Sequence, residues 1–262
     1  MERRALLRIL GAAGLAAALL ACGNGRTGPD GGIRGDPVTP RVAAGRIAAR
    51  PGGGASGGGP GLHTVPLGAA REVLLYVPAS YDPRRPMPLA VMLHGAGGEG
   101  ARQLAAMRPL ADASGFMILA PSSKAHTWDV IAGGYGADVA LIDRALAHVF
   151  ERWAVDPARL GVGGFSDGAS YALSLGITNG DLFTHVLAFS PGFMAPGALF
   201  GSPRIFVSHG TDDRVLPIDR CSRRLVPQLE KAGYTVRYQE FEGPHTVPPE
   251  VAAAGARWLV GG

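Results

Sequence analysis

Cysteine is scarce in this chain of 262 residues: there are two, Cys22 and Cys221. Neither a paired-cysteine pattern nor an H-E-x-x-H run is present, so the sequence supplies no recognisable metal site and none is expected. Charge is also sparse, at 18% of residues, and no Lys/Arg run or basic stretch interleaved with aromatics occurs. The formal charge of +4 is weak evidence for a nucleic-acid partner, because Arg3, Arg4 and Arg8 against Glu2 account for half of it. The glycine clusters lack the G-x-G-x-x-G fingerprint after the first strand with an acid at the right distance, which argues against a dinucleotide site. No cofactor is implied, no internal repeat is visible, and the oligomeric state has no signature.

What is present begins with a targeting pattern. Three arginines in "MERRALLRILGAAGLAAALLAC" (1–22) precede an uncharged apolar run from Ile9 to Cys22. Its length suits a signal-peptide core and is short for a bilayer span. A buried amphipathic helix is the alternative, but the run is apolar on all faces. Arg3-Arg4 with Leu6-Leu7 resembles a twin-arginine export signal, and "LLAC" (19–22) resembles the lipobox of bacterial lipoproteins. That second resemblance implies lipidation of Cys22, export, and a membrane-anchored protein outside the cytoplasm, or a secreted one if lipidation does not occur. It leaves Cys221 without a disulfide partner. With Ile218, Leu225 and Leu229 at helical spacing around it, Cys221 is expected to be a buried, inert thiol.

Residues 23–61 contain 14 Gly and 5 Pro. Such a stretch buries too little apolar surface to offset its ordering entropy, so it reads as a flexible tether reaching about 30–40 Å. From residue 62 to 262 the pattern is that of one domain. Strands are predicted over 71–78, 88–95, 115–121, 159–165, 185–191, 204–210 and 235–243. Helices are predicted over 99–113, 137–152, 167–177, 217–232 and 248–259. Val139, Ile142, Leu146, Val149 and Trp153 make the clearest apolar stripe, whereas Pro109 predicts a kink or break in the helix that holds it. Alternating strands and helices predict an α/β fold with a mostly parallel sheet covered on both faces. The short link "ASYDPRRPM" predicts an antiparallel pair between the first two strands.

The chemistry centres on "GGFSDGAS" (163–170). Gly164, Ser166 and Gly168 fit G-x-S-x-G between a predicted strand and a predicted helix, the context in which such a serine is a nucleophile; a plain turn serine is the alternative. A serine needs a base, and the base needs an orienting acid. His245, in "FEGPHTVPPE" just after the last strand, is the best-placed base. "HGTDDRVLP" (209–217), after the penultimate strand, offers Asp212 and Asp213. The order Ser166, Asp213, His245 is that of α/β-hydrolases. His94 reads as structural. An oxyanion needs backbone N–H donors, for which Ala96 in "LHGAGGEG" (93–100) and Asp167 are the candidates.

Taken together, "HGAGG", "GGFSDGASYALSLG", "AFSPGF", "HGTDDRVLP" and "EGPHTVPPE" resemble, in order and over about 71–259, the α/β-hydrolases of the phospholipase/carboxylesterase type. They also resemble the esterases related to polyhydroxybutyrate depolymerases. The resemblance implies an α/β-hydrolase fold with its acid at Asp213, Asp212 being second choice. The departure is at 167, where acyl-protein thioesterases carry glutamine and this chain has Asp167, which argues against a thioesterase. An acid there opposes a developing oxyanion unless its side chain points away or is paired. At the start of a helix its charge suits the helix dipole.

The expected protein is thus a membrane-anchored serine esterase in which Ser166 attacks, His245 transfers protons and Asp213 orients His245. Trp128, Tyr135 and Phe193 are pocket candidates, each equally plausible as packing. Only about a dozen residues (192–203) separate two late strands, so there is no large cap and the site is open to small or surface-presented esters. A serine peptidase or acyltransferase on the same fold, or a non-catalytic tethered binding protein, are the rivals.

Overall fold

The computed structural model describes residues 42, 44–52, 57–68 and 72–261. The expected targeting segment 1–22, with Cys22, and residues 23–41 lie outside the described residues. Eight strands form one sheet: β1 (Gly61–Thr64), β2 (Val73–Val77), β3 (Met87–Leu93), β4 (Met117–Pro121), β5 (Val155–Phe165), β6 (His185–Phe189), β7 (Arg204–Gly210) and β8 (Val236–Phe241). Their spatial order is β1-β2-β4-β3-β5-β6-β7-β8. β2 runs antiparallel to both β1 and β4, and every pairing from β4 to β8 is parallel.

The helices are α1 (Gly100–Ser114), α2 (Ala137–Arg152), α3 (Asp167–Thr178), α4 (Ser222–Lys231) and α5 (Pro249–Gly261). Pleating explains why the central strands read as continuous apolar runs. Leu89, Val91 and Leu93 of β3 join the core formed with α2, α3 and α4. Ala90 and Met92 join the opposite core, formed with α1 and α5. The expected stripe of α2 is buried in the first of these cores. No large cap is present among the described residues, and no described helix is long and apolar enough to cross a membrane.

Four expectations change. The first two predicted strands are not neighbours, because β4 lies between β2 and β3. Crossover through α1 returns the chain parallel to β3 on that side, and β2 then pairs antiparallel with β4. α1 runs unbroken through Pro109. Pro109 and Ala105 are both exposed, so the carbonyl that the proline cannot satisfy faces water while Leu104, Met107 and Ala111 hold the helix on the core. The helix expected over 217–232 divides into a 3₁₀ turn, Ile218–Arg220, and α4, with Cys221 buried between them.

The fourth change concerns the tether. Residues 44–50 and 57–60, expected to be disordered, pack on the domain. Ile47 is 1% exposed and lies in the core. Its N–H donates to Asn179 Oδ1 at 2.9 Å, and Asn179 Nδ2 donates to the Gly45 carbonyl at 2.8 Å. Asp143 Oδ1 accepts the N–H groups of Ala48 and Ala49. Arg46 forms a two-pronged contact with Asp181, 2.8 Å at each nitrogen, and covers the Phe200 ring at 3.7 Å. Trp153 Nε1 donates to the Gly59 carbonyl. Glycine content predicts local freedom, but side chains from distant elements satisfy this backbone and so offset the cost of ordering it.

Candidate active site

The parallel strands deliver their following loops to one edge of the sheet, and the candidate residues meet there. β5 ends at Phe165, α3 begins at Asp167, and Ser166 between them has φ 57° and ψ −119°. Left-handed backbone at a non-glycine residue is strained and persists only where its surroundings hold it. Here the Ser166 N–H donates to the Phe189 carbonyl, and the Ser166 carbonyl accepts from Ala169 and Ser170. Gly164 and Gly168 make the turn possible: a Cβ on either would collide with backbone, the other glycine and Leu93 in one case, Leu93 and His94 in the other.

His245 Nε2 is 2.8 Å from Ser166 Oγ, and His245 Nδ1 is 2.5 Å from Asp213 Oδ2. Asp213, three residues beyond the end of β7, is 5% exposed. Burial works against its charge, but the N–H groups of Leu216 and Val215 on Oδ1 and the imidazole of His245 on Oδ2 hold its carboxyl below the usual value. Asp212 is exposed, and of the two aspartates it is Asp213 that reaches His245. The Phe165 ring packs on the His245 imidazole, centroids 4.6 Å apart.

A second histidine braces the acid. His209 Nε2 lies 2.7 Å from the Leu216 carbonyl and 3.1 Å from Asp213 Oδ2, and Nδ1 lies 2.7 Å from Ser222 Oγ. Two acceptors at Nε2 assign the proton there, with Nδ1 accepting from the serine. Burial pushes the His209 pKa down, which keeps that neutral form. His209 had no assigned role in the sequence, where "HG" marks only the end of a strand.

The loop after β3 is held by similar means. His94 Nε2 accepts the Ser123 N–H at 2.9 Å, so its Nδ1–H donates to the Gly95 carbonyl at 2.7 Å. Trp128 Nε1 donates to the His94 carbonyl. Gly97 N–H donates to His126 and Gly98 N–H to Gly95. Among the described residues, the N–H groups of Ala96 and Asp167 have no such backbone partner. The Asp167 side chain turns toward the loop after β4, where Thr127 Oγ1 donates to its Oδ2 at 2.6 Å.

The pocket candidates separate. Trp128 is fully buried, stacked on Tyr171 and packed on His94, so it is core and cannot line an open site. Tyr135 is a bracket: its hydroxyl donates to the Ala195 carbonyl, and burial pushes its pKa up to about 12. Phe193 is half-buried in the loop after β6. That loop is pinned by hydroxyls one turn apart along α3. Ser170 accepts the N–H of Gly192, Ser174 that of Ala195, and Thr178 that of Gly197. Ser174 and Thr178 each donate back to the carbonyl four residues earlier, at 2.7 Å. The four-residue spacing was legible in "SYALSLGIT"; the loop it grips was not. A cleft of about 560 Å³ lined by Arg159, His185 and Arg204 lies at the other end of the strands.

No family model matches the chain. In sequence it is similar to feruloyl esterase C of Emericella nidulans, 29% identical over 158 residues that cover 57% of each chain. The chain therefore matches little more than half the length of that relative. In structure it is similar to esterase PE8, with a TM-score of 0.56, 24% identity, and coverage of 77% of this chain and 97% of that one. A truncated carbohydrate esterase from gut microbiota aligns with a TM-score of 0.63 and 14% identity, over 79% and 98% of the two chains. With a mostly parallel eight-stranded sheet between two helical layers and these esterases as its structural likenesses, the chain has the α/β-hydrolase fold.

Proposed function

We propose that the chain is a serine-dependent carboxylic ester hydrolase that works through an acyl-enzyme. The observation that carries this reading is the continuous hydrogen-bonded series from Ser166 Oγ through His245 to Asp213. Ser166 Oγ attacks the ester carbonyl as His245 Nε2 takes its proton, and Asp213 stabilises the imidazolium. The N–H groups of Ala96 and Asp167 receive the oxyanion, a contribution of about 3–4 kcal/mol per donor by mutational precedent. His245 then returns the proton to the departing alkoxide. Water, deprotonated by the same histidine, releases the acid and regenerates Ser166. The chain's likeness to feruloyl esterase C makes feruloyl esters the first substrates to try, and the short uncapped connections support a site open to esters displayed on larger molecules.

Fluorophosphonate labelling with a hydrolysis screen tests this. Wild type is expected to label and to cleave p-nitrophenyl and feruloyl esters, and Ser166→Ala to do neither. Label retained in Ser166→Ala would remove the assignment. Faster cleavage of aminoacyl amides than of matched esters would favour a peptidase, and acyl transfer to an added alcohol in preference to water an acyltransferase.

A further inference from the structure

The proposed reaction uses the backbone of Asp167 and leaves its carboxylate without a part. That carboxylate is half-exposed, on the residue directly after Ser166. Oδ2 is held by the Thr127 hydroxyl at 2.6 Å, while Oδ1 accepts no hydrogen bond from a described residue. Oδ1 is not one of the buried polar atoms left without a partner, so it opens to solvent. Among the described residues, no lysine, arginine or histidine forms an ion pair with Asp167. The positive end of α3 favours its charge, and Thr127 orients it without neutralising it.

A carboxylate with no cationic partner among the described residues therefore belongs to the residue whose own backbone N–H would receive the oxyanion, one position after Ser166. In an empty site this opposes the build-up of negative charge on the substrate oxygen. A substrate that brings its own positive charge, or a hydroxyl donor, to Oδ1 would screen that opposition and gain a contact. A substrate bearing an anion there would add a second repulsion.

We propose that Asp167, oriented by Thr127, is a specificity-determining residue that selects esters carrying a hydroxyl or ammonium group near the scissile carbonyl and rejects those carrying a carboxylate or phosphate. The inference rests on the ester hydrolase reading above. Substrate choice thus joins two elements: the elbow after β5 supplies the acid, and the loop after β4 aims it.

The test uses the full chain at low ionic strength and two matched substrate series. One is p-nitrophenyl esters whose short acyl chains end in methyl, hydroxyl, ammonium or carboxylate. The other is acetates of alcohols with the same four ends. Wild type is expected to favour ammonium over carboxylate by about tenfold in kcat/KM in at least one series, with the ratio shrinking as salt is added. Asp167→Asn is expected to abolish that ratio while keeping the preference for hydroxyl over methyl, since a hydroxyl can donate to the amide oxygen or, where Thr127 holds that oxygen, accept from the amide NH2. Wild type with no preference for ammonium over carboxylate in either series would overturn the proposal, whatever the variant does. So would an active Asp167→Asn that keeps the wild-type ratio. These failures are distinct from failure of the underlying reading: a labelled, active enzyme with a flat charge profile sinks only the role of Asp167, whereas absence of both labelling and hydrolysis sinks the esterase.

Discussion

Asp213 carries more of the candidate site than its single bond to His245 suggests. Both carboxylate oxygens are engaged, one by the Val215 and Leu216 N–H groups, the other by His245 and His209. Asp213→Asn changes one atom and keeps the volume. An amide nitrogen facing His245 Nδ1 would favour the tautomer with its proton on Nε2, which cannot accept from Ser166. Ester turnover in Asp213→Asn is expected to fall by about 10³–10⁴-fold, by analogy with other serine triads. Turnover within a fewfold of wild type would mean that another acid orients His245. Asp212, the alternative in sequence, is exposed on the solvent side of the same turn.

At the level of elements, the segment before β1 is where local and long-range reasoning diverge. Arg46 to Ala49 hold themselves through Asn179, Asp143 and Asp181, none of which lies in or near β1. Gly45 packs under the Tyr135 ring, and Tyr135 in turn holds Ala195. The strap thus backs the loop that carries Phe193. Asn179 is fully buried and links two elements: α3 through Leu175, and the strap through Gly45 and Ile47. Asn179→Ala leaves a buried N–H and a buried carbonyl without partners and is expected to destabilise the domain by about 1–3 kcal/mol. Urea unfolding measures this, and an unchanged midpoint would show that the strap is not docked in solution.

Over the whole molecule, two buried histidines set the response to acid. Burial first, and then the charges of Arg204 and Arg159, push the His185 pKa down to about 4, while burial also lowers that of His209. The unfolded chain binds these protons near pH 6.5 and the folded chain does not. Between about pH 6.5 and 4 the unfolded state therefore holds more protons, so stability falls as pH drops through that window. Thermal melts are expected to show a falling midpoint there, with a shallower fall in His185→Gln. An identical profile for that variant would exclude His185 as a source. The histidine lies on β6 beside the cleft at the end of the strands opposite Ser166, so this response is one of the scaffold rather than of the candidate site.

Much of the architecture was legible in order along the chain. The apolar runs place the strands because both faces of the sheet are buried, and the stripe of α2 follows from its period. The glycine-spaced elbow is equally local: the two glycines and Ser166 lie within five residues of each other and make one tight turn. What periodicity does not encode is which distant segments meet. The insertion of β4 between β2 and β3, the docking of residues 44–50, the burial of Trp128 and the choice of Asp213 over Asp212 all depend on such pairings. The aim of Asp167 depends on one more, since Thr127 lies forty residues earlier on the loop after β4. The amino-acid sequence alone determined that an acid follows the serine; the tertiary structure decided where that acid points, because the side chain that hydrogen-bonds it among the described residues arrives on the loop after another strand.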